Sequence, residues 1–121
     1  MSKAILVIED QEDNRRILRD LLTSAGYEVI ETTTGEEGVT SAETYRPGLI
    51  LMDIDLPGID GYEATRRIKA NPGLRQIPII AVTSYALSGD DIKAFEAGCD
   101  AYVSKPFSPR ELLAKIREYL P

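Results

Sequence analysis

The sequence predicts a doubly wound α/β domain, a parallel sheet of five strands with helices on both faces. Short apolar runs alternate with helix-periodic segments five times in succession, and such alternation implies right-handed crossovers between parallel strands. Two of the runs, Leu49–Met52 and Ile79–Val82, are apolar at every position, as strands covered on both faces must be. No linker, internal repeat or low-complexity stretch divides the 121 residues, so a single domain, 1–121, is expected.

The elements follow in order. Ala4–Ile8 is the first strand. A helix then carries Ile17, Leu18, Leu21, Leu22 and Ala25 on one face, and Gly26 stops it. The second strand is Glu28–Glu31, and Thr34-x-x-Glu37 opens the next helix as a capping box. Leu49–Met52 is the third strand, with Asp60-x-x-Glu63 capping the helix after it. The loop 71–78, with two prolines and a glycine, leads into Ile79–Val82. Ser88-x-x-Asp91 starts the fourth helix and Gly98 ends it. Ala101–Val103 is the last strand. Ser108-Pro109-Arg110-Glu111 then places a capping hydroxyl, a first-turn proline and a glutamate before the stripe Leu112, Leu113, Ile116 and Leu120.

Composition removes several function classes. Apolar residues make up 43% and charged residues 28%, as in a soluble globular protein, and the net charge is −6. That charge disfavours nonspecific nucleic-acid binding, which depends on Lys and Arg against phosphate. Arg15-Arg16 and Arg66-Arg67 are isolated basic pairs, expected on solvated helix faces. Cys99 stands alone, so neither a disulfide framework nor a thiolate metal site is expected, and the residue reads as a small buried one. No apolar run reaches membrane-spanning length and no signal-peptide pattern opens the chain; a cytoplasmic location is expected. The absence of histidine removes the commonest general base, a common metal ligand and every His-dependent nucleophile. Any chemistry falls to carboxylates, hydroxyls and lysine.

In open parallel sheets the ligand site lies beyond the carboxyl ends of the strands, near the point where strand order reverses. The first strand delivers Glu9 and Asp10 there, the third Asp53, the fourth Thr83 and Ser84, and the fifth Lys105. Oxygen donors without His or Cys suit a hard cation such as Mg²⁺. The cation would offset the repulsion between Asp10 and Asp53. A carboxylate can attack phosphorus to form an aspartyl-phosphate, and Thr83 and Lys105 could hold the remaining phosphoryl oxygens. Glu12 and Asp13 belong instead to the first turn of the first helix, where negative charge favours the dipole.

The stretches VIEDQEDNRRIL, LILMDIDLPGIDG, AVTSYA and GCDAYVSKPF, in this order and spacing, make the chain resemble the CheY-like receiver domain of two-component response regulators, nearest to the single-domain cell-division type. The resemblance implies the flavodoxin-like strand order 2-1-3-4-5. It implies Asp53 as phosphoacceptor, and Mg²⁺ held by Asp10 directly, by Glu9 mainly through water, by Asp53 and by the backbone carbonyl of Asp55. Thr83 matches the switch hydroxyl, Tyr102 the switch aromatic, and Lys105 the conserved-type lysine, with the Lys105-Pro106 bond in cis. It further implies a phosphorelay protein without turnover of its own, assisting only its phosphorylation and autodephosphorylation. A sensor histidine kinase or histidine phosphotransfer protein would dock over the mouth, and a downstream protein would bind the face of the fourth helix, fifth strand and fifth helix. Tyr102 and Phe107 are candidate contacts there. No direct contact with nucleic acid or membrane is implied.

Gly48 stands where the family pattern often has Asp, with little effect expected. Asp55 and Tyr85 border the opening and are expected to set the lifetime of the phosphorylated state. Two rival readings are weaker. Asp53-Ile-Asp55 looks like the DxD nucleophile of haloacid-dehalogenase phosphatases, but Pro57 stands where that motif commonly has Thr or Val. A flavodoxin-type flavin site would need a phosphate loop after the first strand, where Glu9, Asp10, Glu12 and Asp13 would repel phosphate.

Overall fold

The computed structural model describes residues 3–84 and 90–121. Five strands alternate with five helices: β1 (Ala4–Ile8), α1 (Glu12–Ser24), β2 (Glu28–Thr32), α2 (Gly35–Tyr45), β3 (Leu49–Asp53), α3 (Gly61–Ala70), β4 (Ile79–Thr83), α4 (Asp90–Ala97), β5 (Ala101–Ser104) and α5 (Pro109–Tyr119). The strands form one parallel sheet in the order β2-β1-β3-β4-β5. Strand order therefore reverses between β1 and β3, and that crevice is where the acidic residues arrive.

Side chains alternate across the sheet with period two. Ile5, Val7, Leu49, Leu51, Ile80, Ala101 and Val103 face one way and pack with Leu18 and Leu22 of α1 and Leu112 and Ile116 of α5. Leu6, Ile8, Ile50, Met52, Ile79 and Ala81 face the other way, against Ala42 of α2, Ala64 and Ile68 of α3 and Ala94 of α4. Both faces of β1, β3 and β4 are thus buried, which is why those runs are apolar throughout.

The caps form as their sequences predict. Glu37 N donates to Thr34 Oγ1 at 3.1 Å, Glu63 N to Asp60 Oδ1 at 2.9 Å and Glu111 N to Ser108 Oγ at 3.0 Å, so one otherwise orphaned donor is satisfied at each helix start. Gly26 and Gly98 follow α1 and α4 at φ +93° and +115°, conformations that glycine adopts without a steric penalty. The expected box at Ser88 lies outside the described residues. Arg66 and Arg67 lie on an exposed face of α3 and pair with Glu63.

Three expectations need correction. Each strand after the first runs one residue further than its apolar run, through Thr32, Asp53, Thr83 and Ser104, because ladder pairing depends on backbone and continues into polar residues. Ile17 is 57% exposed: it sits at the edge of the α1 stripe, beyond the reach of the sheet, while Leu18 and Leu22 carry the burial. Leu113 of α5 is only partly buried.

One glycine bears on the crevice. A Cβ on Gly61, at the start of α3, would lie 2.4 Å from the Asp53 carbonyl oxygen and 2.7 Å from Ile54 Cα. Both are backbone atoms, so neither can swing aside. Gly61→Ala is expected to destabilise the fold by about 2 kcal/mol through overpacking, measured by urea denaturation against wild type.

Candidate functional site at the carboxyl ends of the strands

Register carries the sequence-predicted residues to one place. Ile8 pairs with Met52, so Glu9 arrives beside Asp53. Asp53 pairs with Val82 and Thr83 with Ser104, the residue before Lys105. Glu9 N donates to Thr32 O at 3.1 Å and Lys105 N to Thr83 O at 2.7 Å, extending the ladder beyond β1 and β5. Glu9, Asp53 and Lys105 share the strand parity of Val7, Leu51 and Val103, whose side chains lie on the α1/α5 side. Thr83 shares that of Ala81, on the opposite side.

The ammonium of Lys105 is held between two carboxylates, 3.2 Å from Glu9 Oε1 and 3.4 Å from Asp53 Oδ1. Glu9 is 1% and Asp53 4% exposed. Backbone donors complete the cage, Gln11 N to Glu9 Oε2 at 3.0 Å and Asp55 N to Asp53 Oδ1 at 3.2 Å. Asp10 is half-buried beside them. Thr83 is buried, while Ser84 and the Asp55 side chain are exposed and Tyr102 is half-buried. The Lys105-Pro106 bond is cis, as the resemblance implies. Tyr85 lies outside the described residues.

Two buried carboxylates beside one ammonium divide their charge unequally. Burial, reinforced by the charge of Glu9, raises Asp53 to about 7 against the attraction of Lys105. Burial also pushes Glu9 upward, but the Gln11 amide, a hydrogen bond with Asp53 and the Lys105 ammonium outweigh it and leave Glu9 below the ordinary carboxylate range. Burial acts to lower Lys105, and the two carboxylates more than reverse this, so the ammonium is held charged. Without a cation, Asp53 is therefore the carboxylate that takes up a proton as pH falls through neutrality, while Glu9 stays ionised.

The donor set fits a hard cation. Ligand oxygens of Glu9, Asp10 and Asp53 all lie within 4.8 Å of one another, and few carboxylates with room for water and phosphoryl oxygens suit Mg²⁺. Glu9 is the more buried member of the acidic pair and contacts Lys105 directly, a role the sequence did not disclose.

Sequence reasoning also missed Arg15. It reads as half of a solvated basic pair, yet its side chain is 18% exposed against 60% for Arg16. Its Nη1 donates to the backbone carbonyls of Glu9 and Asp10, at 3.0 and 3.4 Å. The available signal was the helical spacing from the end of β1, which turns position 15 back toward that strand and position 16 away from it.

Residues 5–117 match the model of the response regulator receiver domain. The chain belongs to the response regulator receiver family. The receiver is similar to the polar-differentiation response regulator DivK of Brucella anthropi, 44% identical over 99% of this chain and 98% of that protein, and to DivK of Brucella ovis at 43% over the same shares. Among solved structures it is similar to a response regulator of Chloroflexus aurantiacus, with TM-score 0.94, 32% identity and coverage of 99% of this chain and 98% of that one. It is also similar to the receiver domain of a Pseudomonas aeruginosa sensor histidine kinase, with TM-score 0.92, 40% identity and the same coverage; that crystal structure has a magnesium ion coordinated in its active-site cleft. Nothing in these matches favours a haloacid-dehalogenase phosphatase.

The raised Asp53 has a stability consequence. Its folded pKa lies above its unfolded value of 3.8, so its contribution is fully present below that value and is lost as pH rises through about 7. In metal-free buffer, Asp53→Asn is expected to be more stable than wild type by about 1–3 kcal/mol at alkaline pH. The gap should narrow toward mildly acidic pH, where Asp53 is neutral too. Urea denaturation in chelator across that range checks both sign and trend.

Proposed function

We propose that residues 1–121 act as one receiver domain of a two-component phosphorelay in the cytoplasm, with Asp53 as the phosphoacceptor. The observation that carries the reading is the Lys105 ammonium of the β5 end, 3.2 and 3.4 Å from the carboxylates that β1 and β3 deliver, with Asp10 beside them. Glu9, Asp10, Asp53 and the backbone carbonyl of Asp55 would hold Mg²⁺, with Glu9 contributing mainly through water. When bound, Mg²⁺ supplies charge neutralisation for the carboxylates and the incoming phosphoryl group.

An Asp53 oxygen attacks the phosphorus of a phosphohistidine. The P–O bond forms as the P–N bond breaks, and the electron pair returns to the imidazole. Lys105 and Thr83 hold phosphoryl oxygens on which charge is spread in the transition state. The Asp55 amide fixes the orientation of one Asp53 oxygen.

Phosphorylation adds charge and acceptor oxygens at the end of β3. Thr83 moves toward them, and Tyr102 occupies the space vacated, which reshapes the α4–β5–α5 face. The phosphoryl group shifts a population between two arrangements by binding one better than the other. The donor is a sensor histidine kinase or histidine phosphotransfer protein that docks at the mouth. There a cleft of about 490 Å³ is lined by Asn14, Ile17 and Leu18 of α1 with Lys105, Pro106 and Phe107. The output is a protein bound at the α4–β5–α5 face, with no nucleic-acid or membrane contact and no turnover of a separate substrate. Among the described residues no helix is long and apolar enough to cross a membrane.

Incubation with acetyl phosphate and Mg²⁺ is expected to add the mass of one phosphoryl group to wild type and none to Asp53→Asn. Labelling of Asp53→Asn to the wild-type extent would overturn the assignment. In the same assay Lys105→Ala should label at least tenfold more slowly, given the size of a lost electrostatic stabiliser. Asp55→Asn and Tyr85→Ala should change the rate of phosphoryl loss after the donor is removed; an unchanged rate in both contradicts their role in setting the lifetime.

A further inference from the structure

Arg15 and Arg16 are neighbours in sequence with opposite surroundings. Arg16 is solvated and pairs with Asp13 one turn back at 3.0 Å. Arg15 reaches back over the start of α1, where Nη1 lies 3.0 Å from Glu9 O and 3.4 Å from Asp10 O. Its Nε lies 3.5 Å from Glu31 Oε1 on β2, and Glu31 is held in turn by Arg19 Nη1 at 3.3 Å. One guanidinium therefore joins the end of β1, the approach to α1 and the end of β2.

We infer that Arg15 is a positioning residue for the magnesium cup, fixing the backbone turn that aims the Glu9 and Asp10 carboxylates. The inference rests on the reading that those carboxylates hold Mg²⁺. Their repulsion of each other and of Asp53 pushes this turn outward. A guanidinium can direct Nη1 at both successive carbonyls while Nε, in the same rigid planar fork, faces a carboxylate. Arg15 binds carbonyl oxygens, so the Glu9 and Asp10 carboxylate oxygens stay available to a cation. Glu31, which Arg19 also contacts, offsets part of the guanidinium's charge and so lessens its repulsion of the ion it helps to place. The Gln11 amide, which donates to Glu9 Oε2 at 3.0 Å, lies in the same turn and reports on its geometry.

Charge and geometry separate in Arg15→Lys, which keeps the charge and loses the fork. Isothermal titration of Mg²⁺ into wild type and Arg15→Lys, at about 0.05 and 0.5 M KCl to vary screening, is expected to show roughly tenfold weaker binding in the variant at both salts, the scale of a lost outer-shell partner. The melting temperature should fall by no more than a few degrees, and the Gln11 amide resonance should already be displaced in the metal-free variant. A second variant, Glu31→Gln, should also weaken binding at high salt, by less than Arg15→Lys does. The double variant should bind no more weakly than Arg15→Lys alone, because Glu31 acts through Arg15. Wild-type affinity in Arg15→Lys, a loss that vanishes at high salt, or full additivity of the two changes would overturn the inference while leaving the cup intact. Failure of wild type itself to bind Mg²⁺ would overturn the cup and the inference together.

Discussion

The structure turns on one buried arrangement, the Lys105 ammonium held against the carboxylates of Glu9 and Asp53. Two anions enclosed together at the carboxyl ends of neighbouring strands would be strongly destabilising if nothing compensated them. Here compensation comes from three sources: an ammonium delivered by the far strand, backbone amides of Gln11 and Asp55, and a raised affinity of Asp53 for a proton. That balance suits a site whose charge is meant to change. A cation bound there would take the place of the proton, and a phosphoryl group on Asp53 would bring negative charge that the ammonium is already placed to meet.

Much of the fold serves to hold those groups in register. β1 and β3 are adjacent although α1, β2 and α2 separate them in sequence, so Glu9 and Asp53 meet at the reversal of strand order. Lys105 reaches Asp53 from two strands away and Glu9 from three, with β5 held to β4 through Thr83 and Ser104. The apolar sheet beneath, with Ile5, Leu6, Leu49, Ile50, Ile79 and Ile80 all fully buried, supplies the rigidity that keeps like charges at fixed separation. Gly61 has the same relation to the site from the α3 side, since its missing side chain lets the helix start rest on the Asp53 carbonyl.

The five strands and their alternation with helices were legible before any coordinates, for a physical reason: each strand announces itself by an apolar run. The strand order came from the family resemblance, and the candidate residues Glu9, Asp10, Asp53, Thr83 and Lys105 stand just after such runs. Asp53 and Thr83 illustrate the limit of that signal. Hydrophobic patterning ends at Met52 and Val82, whereas hydrogen bonding carries the strands on to Asp53 and Thr83, so these two side chains are placed with the precision of a sheet and not of a loop. Ile17 and Arg15 were misplaced for a related reason. Residue type alone puts an isoleucine inside and an arginine outside, but position around α1 decides otherwise, leaving Ile17 exposed and drawing Arg15 onto the Glu9 and Asp10 carbonyls. Nor could sequence reveal that Glu9, and not Asp10, is the carboxylate in contact with Lys105. That distinction follows from strand parity, which sets Glu9 on the same side as Asp53 and Lys105.

The central claim is that Asp53 titrates near neutrality and that a cation bound beside it would displace its proton. The number of protons released when Mg²⁺ binds, obtained by titration calorimetry near pH 7 in buffers of different ionisation enthalpy, tests it most directly. With Asp53 near pKa 7, wild type should release about half a proton per ion, rising toward one at mildly acidic pH, and Asp53→Asn should release almost none. Mg²⁺ binding by wild type with no proton release across this range would contradict the account.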